Sequence, residues 1–170
     1  MTEPTEGRVR EKNRAPGHAL VVTLCVKNFD IKRILIDQGS SCEIMYNEIF
    51  KQLKLKDKDL APATSPLVYF NSMTEWPIGM IILLVRAGTM TKQVEFWVLK
   101  VLSTCNIILG RVWLQAMRAV ASTYHQVMRF PNEAGVIEEV LGDQIMSKQC
   151  FVIMNGSRAT KGFEQMVEEP

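Results

Sequence analysis

Arg33-Ile34-Leu35-Ile36-Asp37-Gln38-Gly39-Ser40-Ser41 is an apolar strand that delivers one carboxylate into a turn of glycine and serine. A carboxylate at the end of a buried strand is partly desolvated, so it can hold or share a proton, and Gly39 lets the backbone turn sharply beside it. A second stretch supports the first. Asn106-Ile107-Ile108-Leu109-Gly110-Arg111 is a further apolar strand that ends in glycine just before a helix-like segment.

Around these two stretches the chain reads mainly as β. Ala19–Lys27 and Asp30–Ile36 are rich in β-branched and aliphatic residues, with Asn28-Phe29 as the turn of a hairpin. Ile44, Met45, Ile49, Phe50 and Leu53 recur at helical spacing, which predicts a short amphipathic helix over Glu43–Leu55. The mixed charges of Lys54–Asp59 predict a solvated helix end, and Pro62–Pro66 a rigid connector. Leu67–Phe70 and Ile78–Val85 flank the polar Asn71-Ser72-Met73-Thr74-Glu75 and predict one long hairpin. Lys92–Leu102 and Cys105–Leu109 read as strands. Val112–Ala119 reads as a helix with Val112, Leu114, Ala116, Met117 and Val120 apolar. Ser122–Phe130 and Gly135–Leu141 form a last hairpin, and Gln149–Met154 is one more strand. Residues 1–17 are expected to be a leader or linker, 18–154 a single domain, and 155–170 a tail.

The Asp37 turn, the Ile108-Leu109-Gly110 strand and the order between them resemble the retropepsin-like aspartic proteases of retroviruses and gypsy-type retrotransposons, notably those of plant Gag-Pol polyproteins. That resemblance implies a closed β-barrel subunit with a flap hairpin and two short helices. Asp37 is then the catalytic residue. Gly39 and Ser40 form the turn that holds a water and bonds the outer carboxylate oxygen. Ile108, Leu109 and Gly110 pack behind it, and Arg111 begins a helix. A flap within Phe70, Asn71, Ser72, Met73, Thr74, Glu75 and Trp76 would close over an extended polypeptide substrate.

Peptide hydrolysis of this kind uses two carboxylates sharing one proton, one activating water and the other protonating the carbonyl oxygen. The chain has a single Asp-x-Gly, because Asp143 follows its glycine instead of preceding it. The expected partner is therefore a second copy, with Asp37 meeting its own counterpart across a two-fold axis. One departure stands out: the family carries Thr or Ser after the aspartate, whose hydroxyl bonds across the axis, and this chain carries Gln38. A longer amide has to find room there, so Gln38→Thr is expected to tighten the dimer. The same residues leave open an inert protease-like dimerisation module. They also leave open a cellular relative acting on regulatory proteins, whose sign would be an appended partner domain.

Composition narrows the alternatives. The 170 residues are 47% hydrophobic and 22% charged, enough for one sizeable core, and 20 basic against 18 acidic residues give no electrostatic case for nucleic acid. The three tryptophans, at 76, 97 and 113, have no basic patch between them and read as packing residues. Cys25, Cys42, Cys105 and Cys150 are widely spaced and read as reduced thiols. His18 and His125 are isolated, so no metal and no cofactor is expected, with His125 a surface strand residue. Glu43 stands where a Gly-x-Ser-x-Gly motif around Ser41 would need its second glycine, which disfavours a serine nucleophile. The polar first residues carry no signal-peptide pattern, and the longest apolar run, Met80–Val85, is too short to span a bilayer. These features predict a soluble, intracellular protein without a membrane partner.

Overall fold

A computed structural model describes residues 19–68 and 74–148. Six strands close into a barrel in the order β1-β2-β8-β3-β7-β6: β1 (Leu20–Val26), β2 (Phe29–Ile36), β8 (Ile107–Leu109), β3 (Glu43–Tyr46), β7 (Met90–Leu99) and β6 (Gly79–Ala87). The remaining strands form a two-stranded ribbon, β4 (Leu67–Val68) with β5 (Thr74–Glu75), and a three-stranded sheet. That sheet holds β9 (Val120–Ser122), β10 (Val127–Pro131) and β11 (Ile137–Leu141). Helix α1 spans Asn47–Gln52, helix α2 spans Arg111–Met117, and Asp57–Asp59 form a single 3₁₀ turn.

The first hairpin turns one residue earlier than the sequence predicts. Lys27 and Asn28 both have positive φ, at 50° and 69°, the pairing of a two-residue turn whose twist matches the strands. Farther from the turn, the β1–β2 register slips between Val22 and Leu24 of β1, leaving an extra residue on β2, where Arg33 takes φ 56°. That bulge resets the alternation, so that Ile31 and Ile34 both reach the core.

Four residues expected to begin a helix instead form β3. Glu43, Ile44, Met45 and Tyr46 are all buried, because this strand lies between β7 and β8 and is covered on both faces. Over four residues the apolar Ile44-Met45-Tyr46 fits helix and buried strand alike, and the tertiary position decides it. Helix α1 therefore starts only at Asn47, with Ile49 and Phe50 buried. Helix α2 begins at Arg111, as the resemblance implies and one residue before the span read from the apolar pattern, and it shows a different face: Trp113, Leu114 and Met117 are buried, while Val112 and Val120 are 59% and 72% exposed.

The long hairpin is also arranged differently. β4 pairs with Thr74 and Glu75, while residues 79–87 pair with β7 over nine positions. Along β6, Ile81, Leu83, Val85 and Ala87 face inward and meet Val94, Phe96 and Val98 from β7 in one apolar cluster. Burying side chains of this size contributes roughly 1.5–3 kcal/mol each. The stretch Ser122–Phe130 breaks at a turn over residues 123–126, so the last hairpin becomes three strands, and His125 lies in that turn with its ring Nδ1 3.0 Å from Ser122 Oγ. Among the described residues, Cys25, Cys42 and Cys105 are not joined to one another by disulfides. The leader, the tail, Cys150, His18 and the strand expected over Gln149–Met154 lie outside the described residues. Among the described residues, no helix is long and apolar enough to cross a membrane.

The three-stranded sheet is fastened to the barrel at its core and at its edge. Met128 and Phe130 enter the main cluster, and Glu138 clasps the tip of the β6–β7 turn. Its Oε1 accepts the Thr89 amide at 3.0 Å, and its Oε2 accepts the Thr89 hydroxyl. These bonds, the side-chain one foremost, hold the Glu138 carboxyl below the ordinary glutamate range. A depressed carboxyl adds stability above its unfolded pKa and loses it as pH falls through the folded value. Thermal melts between about pH 6 and pH 3 should therefore fall less steeply for Glu138→Gln than for wild type, and equal slopes would show that the clasp adds nothing.

Candidate active site

Asp37 follows directly on β2, and its position is set by backbone. Its amide donates to Leu109 O at 2.9 Å, extending the parallel pairing in which Ile34, Leu35 and Ile36 lie opposite Ile107, Ile108 and Leu109. The chain then reverses. Ser40 N donates to Asp37 O at 3.1 Å, and Gly39 N donates to Asp37 Oδ1 at 2.9 Å, an Asx-type turn closed by the carboxylate itself. One carboxylate oxygen is thus held by an amide, and the half-buried side chain stays accessible from outside the barrel.

The other side of the turn rests on the start of α2. Arg111 N donates to Ser40 O at 2.9 Å. A Cβ on Gly110 would lie 2.5 Å from Ser40 O and 2.9 Å from Cys42 O, so only glycine allows this approach. The Ser40 hydroxyl donates to Cys42 O at 2.7 Å, so of the pair Gly39 and Ser40 it is the amide of Gly39 that bonds the Asp37 carboxylate, while the Ser40 amide bonds the Asp37 carbonyl. Burial pushes the Cys42 thiol up, opposed by its bond with Ser40 and reinforced by the nearby Glu43.

Gln38 uses its length within the chain. Nε2 donates to Ala121 O on β9 at 2.9 Å, tying the turn to the three-stranded sheet. An open groove of about 580 Å³ runs beside it, lined by Gln38, Arg111, Leu114, Arg118, Val120 and Ala121.

The structure brings Asp37, Gln38, Gly39 and Ser40 against Leu109 and Gly110, while Ile108 packs in a separate cluster with Ile44, Tyr46 and Leu99. Leu67, at the root of the β4–β5 ribbon, packs against that same cluster. Of the expected flap residues, Thr74 and Glu75 form β5 and Trp76 is 59% exposed, while Phe70, Asn71, Ser72 and Met73 lie outside the described residues.

Sequence reasoning passed over Glu43, whose side chain is buried and whose Oε2 accepts the amides of Gly110 at 3.1 Å and Trp113 at 3.2 Å. Burial pushes this carboxyl up, against the lowering effect of the Trp113 and Gly110 amides. The available signal was a lone acid heading the otherwise apolar Ile44-Met45-Tyr46.

No family model and no curated protein matches the chain. Solved structures do. The retroviral protease-like domain of Ddi1 from Leishmania major aligns with a TM-score of 0.56 at 16% identity, covering 74% of this chain and 94% of that one. A retropepsin-like aspartic protease from Rickettsia conorii aligns with a TM-score of 0.52 at 18% identity, covering 75% of this chain and 85% of that one. The fold is that of the retropepsin-like aspartic proteases. Within this fold Asp37 closes a turn fixed by backbone bonds on both flanks.

The Gln38 amide bond to Ala121 O gives a direct test. Gln38→Ala should lower the unfolding free energy by about 0.5–1.5 kcal/mol in urea denaturation, and an unchanged midpoint would show that the amide makes no net bond.

Proposed function

We propose that the protein is an aspartic endopeptidase that acts as a homodimer, with Asp37 from each subunit forming the catalytic pair. The observation that carries this reading is the Asp37 turn: one accessible carboxylate, one oxygen held by the Gly39 amide, at the end of a barrel strand in an aspartic-protease fold. With a single Asp-x-Gly in the chain, the second carboxylate comes from a symmetric copy, an isologous arrangement in which the same turn meets itself. Two carboxyls that close cannot both ionise, so they share one proton. The ionised one takes a proton from water as it attacks the peptide carbonyl carbon. The protonated one donates to the carbonyl oxygen, and the resulting diol collapses as the amine leaves with a proton. The substrate is an extended polypeptide. Processing of a gypsy-type retrotransposon polyprotein is the setting that the Asp37 turn and the Ile108-Leu109-Gly110 strand support by their resemblance.

A second reading has its own observation. In the resembled family a hydroxyl after the aspartate bonds across the axis, and here the Gln38 amide is engaged with Ala121 of its own subunit. That favours a protease-like binding module without catalysis.

Cleavage of an unfolded protein at mildly acidic pH separates the two. Asp37→Asn should lower the rate by about 10²–10⁴-fold, and wild-type activity per subunit should rise with concentration as dimers form. Folded, dimeric wild-type protein that leaves the substrate intact would establish the inert module, and full activity in a strict monomer would exclude the shared pair.

A further inference from the structure

We infer that Glu43 is a positioning residue for the Asp37 turn, its buried carboxyl holding the start of α2 in the place against which that turn rests. The Glu43 side chain belongs to β3, and its Oε2 receives two amides of the β8–α2 junction, Gly110 N at 3.1 Å and Trp113 N at 3.2 Å. Neither amide has an acceptor within the first turn of its own helix, where such groups are always left over. Helix α2 has no side-chain cap from the residue that precedes it, Gly110, since glycine has no side chain to offer. Glu43, 67 residues away in sequence, supplies the missing acceptor.

The consequence reaches Asp37 through two short steps. Gly110 packs directly on the carbonyls of Ser40 and Cys42, and the next amide, Arg111 N, donates to Ser40 O at 2.9 Å. Ser40 in turn closes onto Asp37 O at 3.1 Å. A carboxyl that fixes Gly110 therefore fixes the backbone that carries the aspartate. Glu43 also sits at the start of the strand that leaves the turn, so it draws the outgoing chain and the helix start together. Its role is indirect: Glu43 touches amides, and substrate would meet Asp37.

The catalytic consequence rests on the peptidase reading, whereas the effect on the turn does not. Two measurements on the full chain keep these apart: amide hydrogen exchange at Ser40 and Arg111, and kcat and KM on an unfolded protein substrate at dimer-saturating concentration. Glu43→Met fills the space without an acceptor, and Glu43→Gln keeps one carbonyl oxygen. Phe130→Leu, beside the β6–β7 turn, controls for general loss of stability. Glu43→Met should exchange Ser40 and Arg111 at least about tenfold faster than the control and lose about 10–100-fold in kcat with KM little changed. Glu43→Gln should stay within about threefold of wild type in kcat, since it keeps an acceptor for the amides. If Glu43→Met does not fold, Glu43→Asp, one methylene shorter, is read in the same way. Protection at Ser40 and Arg111 equal to that of the control would overturn the inference, as would an undiminished kcat in a folded variant. Faster exchange beside a wild type that cleaves nothing would leave Glu43 in its role and remove the peptidase reading instead.

Discussion

The approach of Gly110 to the carbonyls of Ser40 and Cys42 is the constraint on which the rest of the site depends. At 2.5 Å from Ser40 O, a Cβ has no room, so the turn after β2 and the turn after β8 can lie in contact only through a glycine. Their contact follows from the parallel pairing of β2 and β8. In a parallel pair both strands end on the same side, and what each chain does next happens side by side. Asp37 N to Leu109 O is the last rung of that ladder, and Arg111 N to Ser40 O is the first bond beyond it. The carboxylate is therefore placed by backbone bonds in the frame of the barrel, with Glu43 bracing the helix start from behind.

Barrel closure supplies the rigidity this placement needs. β1 meets β2 on one side and β6 on the other, and β3 bridges β7 and β8, so no barrel strand adjoining the turn has a free edge. The interior is filled by Val22, Ile34, Met45, Phe96, Ile107 and Trp113, all but fully buried. Into this apolar surrounding the chain places one carboxyl, Glu43, which would be unfavourable without partners. The two amides that it receives would themselves be costly if left bare, about 1–3 kcal/mol each. Burial of acid and amides together offsets both penalties, whereas an apolar residue at this position would leave the amides without acceptors.

Much of this was legible in the sequence because the relevant signals are local. An apolar strand running into Asp-Gln-Gly-Ser, and another running into Gly-Arg, state their own turns, and the mainly β class follows from β-branched strands between turn residues. What escaped depends on position in the fold. Glu43–Tyr46 has a helix-compatible pattern, and only its place between β7 and β8 makes it a strand. The buried face of α2 was misjudged because Trp113 packs inward while Val112 faces outward, a rotation that periodicity over seven residues cannot fix. The pairing of Leu67–Val68 with Thr74–Glu75, where one long hairpin with Ile78–Val85 was expected, escaped because two-residue strands carry too few side chains to show an alternation. Gln38 looked like an awkward residue at a dimer axis until its reach to Ala121, 83 residues on, was visible.

Fold likeness at 16% and 18% identity becomes understandable on the same terms. The bonds that hold the aspartate turn run between backbone groups: Asp37 N to Leu109 O, Ser40 N to Asp37 O and Arg111 N to Ser40 O. Any residue can supply an amide or a carbonyl, so the geometry restricts side chains only where space or charge is limiting. Space is limiting at Gly110, which must stay small. Charge is limiting at Glu43, whose partners are amides that need an acceptor of some kind. Elsewhere the barrel asks for apolar volume at inward positions, a demand that many sequences meet with different residues. A site fixed by backbone is thus compatible with wide divergence around it. Gln38, with its link to β9, bonds through its side chain and is not held by this backbone frame alone.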